Sequence, residues 1–362
     1  MSNDNGKISV RQAMILLVLV FCAPAIRYIP IYTAQQAKNT AWLAPLIAVC
    51  FEVVYMLIWG SFIKKYSGKS YIDIIKDVVG KILGTVIIIM YFLWITFLLS
   101  YNIRMYAERI VSSSMTNVSI FIVLGAMLLL VGYVVKNGII TLAKMCEIFI
   151  MLLSIIFIFY NTLILPSLHI ENLFPITYKD IWPTFLASFG ILSIFSYNIV
   201  IFMFNDKIDH KDEFKKISMQ TVIILTLISL AVIIVPLCVF GWSLLVKFPL
   251  PYLNSMMEIS LFDIIERVEA GIIVFWVTAD FTLISIFVYS AMHILRLSFN
   301  LSNIKPIKVI YVIGLFFLAL ILAKSTLELK ILSETVITLL NIVMGFCIPI
   351  LIYIIAKIRK KV

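Results

Sequence analysis

Charge is scarce in this chain. Asp, Glu, Lys and Arg make up 13% of the 362 residues, 63% are hydrophobic, and the mean hydropathy is +1.10. Soluble domains are about a quarter charged, so an ordinary water-soluble protein is excluded. Only three histidines occur, His169, His210 and His293, on separate segments, and the HExxH, Walker-loop and GxSxG patterns are missing. Zinc hydrolysis, phosphate-loop chemistry and serine hydrolysis therefore have no visible machinery, and neither an enzyme, a cofactor nor a metal is expected. The five cysteines, Cys22, Cys50, Cys146, Cys238 and Cys347, lie in or at the ends of apolar segments without a CxxC pair, and read as small buried hydrophobes. No removable signal peptide is expected either, because polar MSNDNGKISVRQ leads into a long apolar run with no small-residue cleavage site.

What fills the chain instead is a succession of apolar runs, many of them about 20 residues long and able to cross a ~30 Å hydrocarbon core. Cutting at charged and Pro/Gly-rich interruptions gives ten spans: 12–32, 41–63, 82–103, 120–135, 141–165, 184–204, 218–245, 271–295, 309–323 and 335–356. The expected fold is therefore an all-α integral membrane protein of ten transmembrane helices. The Lys and Arg residues then divide 20 to 8 in favour of the side holding both termini, with Arg27 left inside the first span. That bias puts both ends in the cytoplasm, and it assigns the net charge of +10 to loops facing anionic lipid rather than to nucleic acid. The layout reads as a cytoplasmic segment 1–11, a five-helix half 12–165, an outer loop 166–183, a second half 184–356 and a basic tail 357–362. Five spans per half invert the second half, and in such 5+5 inverted repeats the first and sixth helices are discontinuous around a site near the midplane.

The first span carries VFCAPAIRYIPIYTAQQ, two prolines and an arginine in an apolar run. Pro24 and Pro30 each remove a backbone donor, so a kinked or unwound stretch is expected between them. Two readings fit Arg27: it faces a carboxylate of a ligand or of the protein, or it snorkels to headgroups about 7 to 8 Å away. The sixth span, LASFGILSIFSYNIV, has Ser193, Ser196, Tyr197 and Asn198 in an apolar run, which suits either a second break or close helix packing. In the eighth, WVTADFTLISIFVYS, Thr278, Thr282, Ser285 and Tyr289 share one helical face and Asp280 points elsewhere. Glu52 and Asp280 lie near the midplane, where an ionised group is costly and is either paired or functional. Both are candidates for an ion pair or for proton coupling, as is Lys144. In the third span, Ser100, Tyr101 and Asn102 border the same region.

The runs KISVRQ, AWLAPLIA, GIITLAKMCEI and ENLFPI, and above all FPLPYLNSMMEISLFDIIERVEAGIIVFWV, resemble the B subunit of spore germinant receptors. That family belongs to the amino acid, polyamine and organocation (APC) transporter superfamily, and the resemblance implies its LeuT-like fold. It also implies a place in the inner membrane of a dormant spore, and partnership with an A subunit and a C-subunit lipoprotein. A nutrient germinant, often an amino acid, would bind in a transporter-like pocket of the first, third, sixth and eighth helices. Carried over by position, the pocket is Pro24, Ala25 and Tyr28, with Arg27 in the same break, then Tyr101, then Ser193, Ser196 and Asn198, then Thr278, Thr282 and Ser285. This chain departs from the family where small residues are usual at the first break, having CAPAIRY, and where a Gly-Glu pair is usual in the sixth helix, having SYN. A nutrient receptor subunit is the leading expectation, a proton-coupled amino acid permease the alternative, and a structural subunit the third.

Overall fold

The computed structural model describes residues 6–113, 117–209, 211–258, 269–299, 301, 304–323 and 325–362. His210 and nearly all of the ISLFDIIERVEA stretch lie outside these residues. Each expected span falls on a helix. In chain order these are α1 (Val10–Ala37), α2 (Ala44–Lys65), a short amphipathic α3 (Tyr71–Val79), α4 (Lys81–Ser113), α5 (Ile120–Lys136) and α6 (Gly138–Leu163). The second half gives α7 (Ile181–Phe195), α8 (Asn198–Phe202), α9 (Phe214–Leu245), a short α10 (Pro251–Met257), α11 (Glu269–Ser298) and α12 (Lys305–Ile321). The last span is a composite: α13 (Thr326–Leu332), α14 (Thr338–Ile342) and α15 (Ile348–Ile358) joined by two π-helical segments. Seven described stretches are long and apolar enough to cross a membrane; the first, Val10–Lys65, holds both α1 and α2, and two shorter apolar helices lie at the fourth and ninth places.

Burial separates inner from outer helices. The most apolar windows of Val10–Lys65 and Tyr178–Phe202 are both 83% buried, against 22% for Gly138–Leu163. The opening helices of the two halves thus form the centre, where α1 packs on α6, α7, α9 and α11. Apolar residues left exposed on the outer helices, such as Leu129, Ile155 and Ile310, suit a hydrocarbon surrounding rather than water. Cys50 and Cys347 belong to this exposed set, so only Cys22, Cys146 and Cys238 are the buried hydrophobes expected.

Three local differences follow from packing. The first helix is not unwound: α1 runs unbroken through Pro24 and Pro30. Surrounded by apolar helices, its backbone gains nothing by opening, so only the two donors that proline lacks are lost. The second break does occur, at Ser196 and Tyr197, but both keep right-handed helical angles and the chain tightens into i→i+3 bonds such as Val200 N–H to the Tyr197 carbonyl, 3.0 Å. The third span does not end at Ile103; α4 continues to Ser113 and carries Arg104 and Arg109 as buried helix residues, not as outer-loop charges.

Elsewhere, local chemistry accounts for the element ends. Ser9 opens α1 through a capping box with Gln12, and Ser70 opens α3 with Asp73. Within the expected outer loop, the Asn172 side chain (2.8 Å) and the His169 N–H (3.2 Å) donate to the Cys238 carbonyl, close to the non-helical Gly241 (φ 67°). At the opposite end, strand β1 (Ile8–Ser9) pairs in parallel with β2 (Ile208–Asp209), tying the entry of α1 to the exit of the sixth span.

Candidate functional site

The polar residues expected from the sequence gather where α1, α4, α7/α8 and α11 meet, and nearly all are buried. Arg27 is 6% exposed and does not snorkel. Its Nη2 donates to Asn102 Oδ1 at 2.9 Å, and its guanidinium carbon lies 5.4 Å from the centre of the Tyr101 ring. Both partners come from α4, one from an amide and one from a π-face, and neither carries charge. No carboxylate lies within ion-pair distance of Arg27 among the described residues, and its Nε and Nη1 have no hydrogen-bond partner there. A guanidinium has five N–H donors, so most of this one's capacity is unused.

A second buried guanidinium, Arg109, is treated differently. It forms an ion pair with Asp280 of α11 and lies 5.5 Å from the centre of the Trp276 ring. Asp280 therefore finds its partner on α4, while its Oδ1 has none among the described residues. Of the eighth-span residues, Thr282 donates to the Thr278 carbonyl at 2.9 Å, and Ser285 is fully buried with its hydroxyl unpartnered among the described residues.

Around the break, side chains from three other helices brace the chain. Asn198, the first residue of α8, donates its amide to Glu52 of α2. Glu52 is fully buried, and its second oxygen has no partner among the described residues. On the other side Asn341 of α14 donates to Ser193 at 3.1 Å and accepts from Trp94 at 3.1 Å, linking α7 to α4. The Ser196 hydroxyl turns back onto the Ser193 carbonyl at 2.6 Å. Tyr28 also points towards the last span, where its hydroxyl and that of Thr338 are 2.6 Å apart.

Several expectations change with this geometry. Pro24 and Ala25 are buried in a continuous helix, so their backbone is not offered by unwinding. Lys144 is exposed on α6 and forms no ion pair among the described residues, so it stands apart from Glu52 and Asp280. Arg109, Asn341, Trp94 and Thr338 were missed. Arg109 looked like a loop charge, although Arg104 and Glu108, an i,i+4 pair bridged at 2.7 Å, signalled that the helix continues. The residues of the last span gave no signal, since one Asn in an apolar run is equally at home in any helix interface.

This arrangement presents a buried cation with free donors beside an interrupted helix, in a fold shared with known transporters. Similar solved structures are MhsT in complex with L-phenylalanine (TM-score 0.71, 11% identity, covering 97% of this chain and 89% of that one) and a Na+-coupled sialic acid symporter (0.61, 14%, 94% and 79%). The Eremococcus coleocola manganese transporter also matches (0.62, 10%, 93% and 75%). At such identities these show the fold, which is that of LeuT-type transporters. In sequence, the chain is 21% identical to spore germination protein KB of Bacillus subtilis over 371 residues, 99% of this chain and 96% of that protein. It is 23% identical to spore germination protein YndE of the same organism over 375 residues, 100% and 99% of the two chains. The family model described as "Spore germination protein" matches residues 7–329, and this multi-pass membrane chain with a transporter fold belongs to that family.

Proposed function

We propose that the chain is the nutrient-sensing subunit of a spore germination receptor, binding a carboxylate-bearing nutrient, an amino acid in the leading case, between α1, α4 and the α7/α8 break. The observation that carries this reading is Arg27, a buried guanidinium held by a neutral amide and a ring, with Nε and Nη1 free among the described residues. Burying such a group without a counter-charge is costly, and a ligand carboxylate supplies both the charge and the acceptors. The relative solved with L-phenylalanine shares the fold, which makes an amino acid a reasonable occupant. The chain would sit in the spore inner membrane with both termini on the core side, acting with an A subunit and a C-subunit lipoprotein.

The test is nutrient-triggered dipicolinate release from spores lacking this chain and from spores carrying Arg27→Gln, over a panel of amino acids and nucleosides. Deletion is expected to abolish the response to one nutrient. Arg27→Gln should raise the concentration of that nutrient needed for half-maximal release by about tenfold or more, the worth of a charge-assisted hydrogen bond, at normal protein abundance. An unchanged dose response would remove Arg27 from the site, and a loss of abundance would make it structural.

The permease reading is favoured by one observation: Glu52 and Asp280 each keep a buried oxygen without a partner among the described residues, as a proton-carrying acid would. Accumulation of labelled amino acid in proteoliposomes, abolished by Glu52→Gln, would support it over the receptor.

A further inference from the structure

At the end of the bundle that holds both chain termini, α2 and α9 part around a cleft of 530 Å³. The end is defined by the β1–β2 pairing and by Lys361 of the tail, which pairs with Asp77 at 3.2 Å. The cleft exists in part because Gly60 has no side chain; a Cβ there would lie 3.7 Å from the Phe214 ring. Its floor is apolar, with Leu57 from α2 and Met219 from α9. Its lining is also charged: Lys64 in the last turn of α2, Lys215 in the first turn of α9, and Asp212 just before α9. Both lysines are exposed, and neither they nor Asp212 form an ion pair among the described residues.

The floor is not a closed pit. Leu57 is 47% exposed, and Val54 on α2 and Ile223 and Leu227 on α9 continue the same apolar surface at 55%, 59% and 59% exposure. The cleft therefore opens onto the face that meets hydrocarbon, with its cations at the water boundary. Paired lysines at such a boundary attract an anionic headgroup, and their aliphatic stems cover the chain below it.

We propose that this cleft binds an anionic phospholipid of the phosphatidylglycerol type. The phosphate lies between Lys64 and Lys215, the headgroup hydroxyls donate to Asp212, and an acyl chain follows Leu57 and Met219 into the bilayer. Asp212 makes the choice of headgroup specific: it repels a second phosphate and accepts from a diol. A choline headgroup offers it no donor and brings a fixed cation against two lysines. The site shares no residue with the polar centre around Arg27, so it stands or falls independently of the germinant reading.

Native mass spectrometry of the purified full chain in detergent, with phosphatidylglycerol and phosphatidylcholine of matched acyl chains added at equal concentration, tests the proposal. Wild type should retain phosphatidylglycerol about tenfold more than phosphatidylcholine, and Lys64→Gln/Lys215→Gln should remove the preference at an unchanged unfolding temperature. Gly60→Leu, which fills the floor and leaves both lysines, should lower total lipid retention. Equal retention of the two lipids by wild type, or a preference that survives in the lysine double variant, would overturn the assignment. Displacement by glycerol 1-phosphate at the concentration of the lipid would also overturn it, by showing a site for soluble phosphates.

Discussion

Arg27 and Arg109 are both buried guanidiniums resting near aromatic rings, yet their surroundings differ in charge. Arg109 is matched by Asp280, and a buried pair of this kind contributes little net stability while being very costly to break. Removing one partner strands the other charge. Asp280→Ala or Arg109→Ala alone should therefore destabilise the detergent-solubilised protein by about 3–5 kcal/mol, whereas Arg109→Met with Asp280→Leu should recover most of that loss. Thermal unfolding of the three variants checks this; additive losses in the double variant would show that the two side chains do not act as a pair. The sequence told these arginines apart only in part. Arg27 stood out because charge inside an apolar run is rare, but Arg109 sits near a span end, where loop and helix look alike. Its partner is 171 residues away in the chain, beyond any local pattern.

Helices were legible where their hydrophobic runs were long, and illegible where tertiary packing overrode a local rule. Two prolines predicted a kinked or unwound stretch in the first helix, and burial among α6, α7, α9 and α11 keeps α1 wound. The interruption at Ser196 was readable from small polar residues, while its support by the last span was not. That support is tight: a Cβ on Gly345, in the second π-helical segment, would come within 2.2 Å of Ser196 Cβ and 2.7 Å of its Cα. Gly345→Ala should destabilise the protein by about 1–3 kcal/mol. Gly125→Ala on α5, with nothing within 4 Å, should be neutral or slightly stabilising in the same unfolding assay. Equal behaviour of the two variants would show that the last span does not press on the break.

The loop after α8 is tied to α11 by a hydrogen bond, His293 Nε2 and Asp206 Oδ1 lying 2.8 Å apart. Burial alone would push the Asp206 carboxyl up, but His293 and Lys207 outweigh it and hold it below its ordinary value. A depressed carboxylate gives stability that is complete above its unfolded-state value of about 3.9 and is lost as pH falls through the lower folded value. The unfolding temperature of Asp206→Asn should therefore fall less steeply than that of wild type below about pH 4. Identical slopes would show that Asp206 carries no such linkage.

At the scale of the whole molecule, the charge bias predicts a direction in the membrane. The 20 to 8 division counted Arg104 and Arg109 as outer-loop residues, but both are buried in α4 and leave the outer side with fewer cations than supposed. The bias between the loops is then wider, because charges inside a bundle do not interact with the headgroups or the translocation machinery as loop charges do. The structure adds that the two termini share one end, through the β1–β2 pairing and the Lys361–Asp77 bridge. The loop with exposed Glu171 and Tyr178, expected to be the outer one, follows α6 at the other. A membrane-impermeant maleimide can read this arrangement in sealed right-side-out vesicles. The native cysteines give a low background, since three are buried and Cys50 and Cys347 lie on hydrocarbon-facing helices. Glu171→Cys should label in intact vesicles, and Lys361→Cys only after permeabilisation. The reverse pattern would invert the molecule and place the cleft between α2 and α9 on the outer leaflet. Labelling of both in intact vesicles would break the link between the charge bias and orientation.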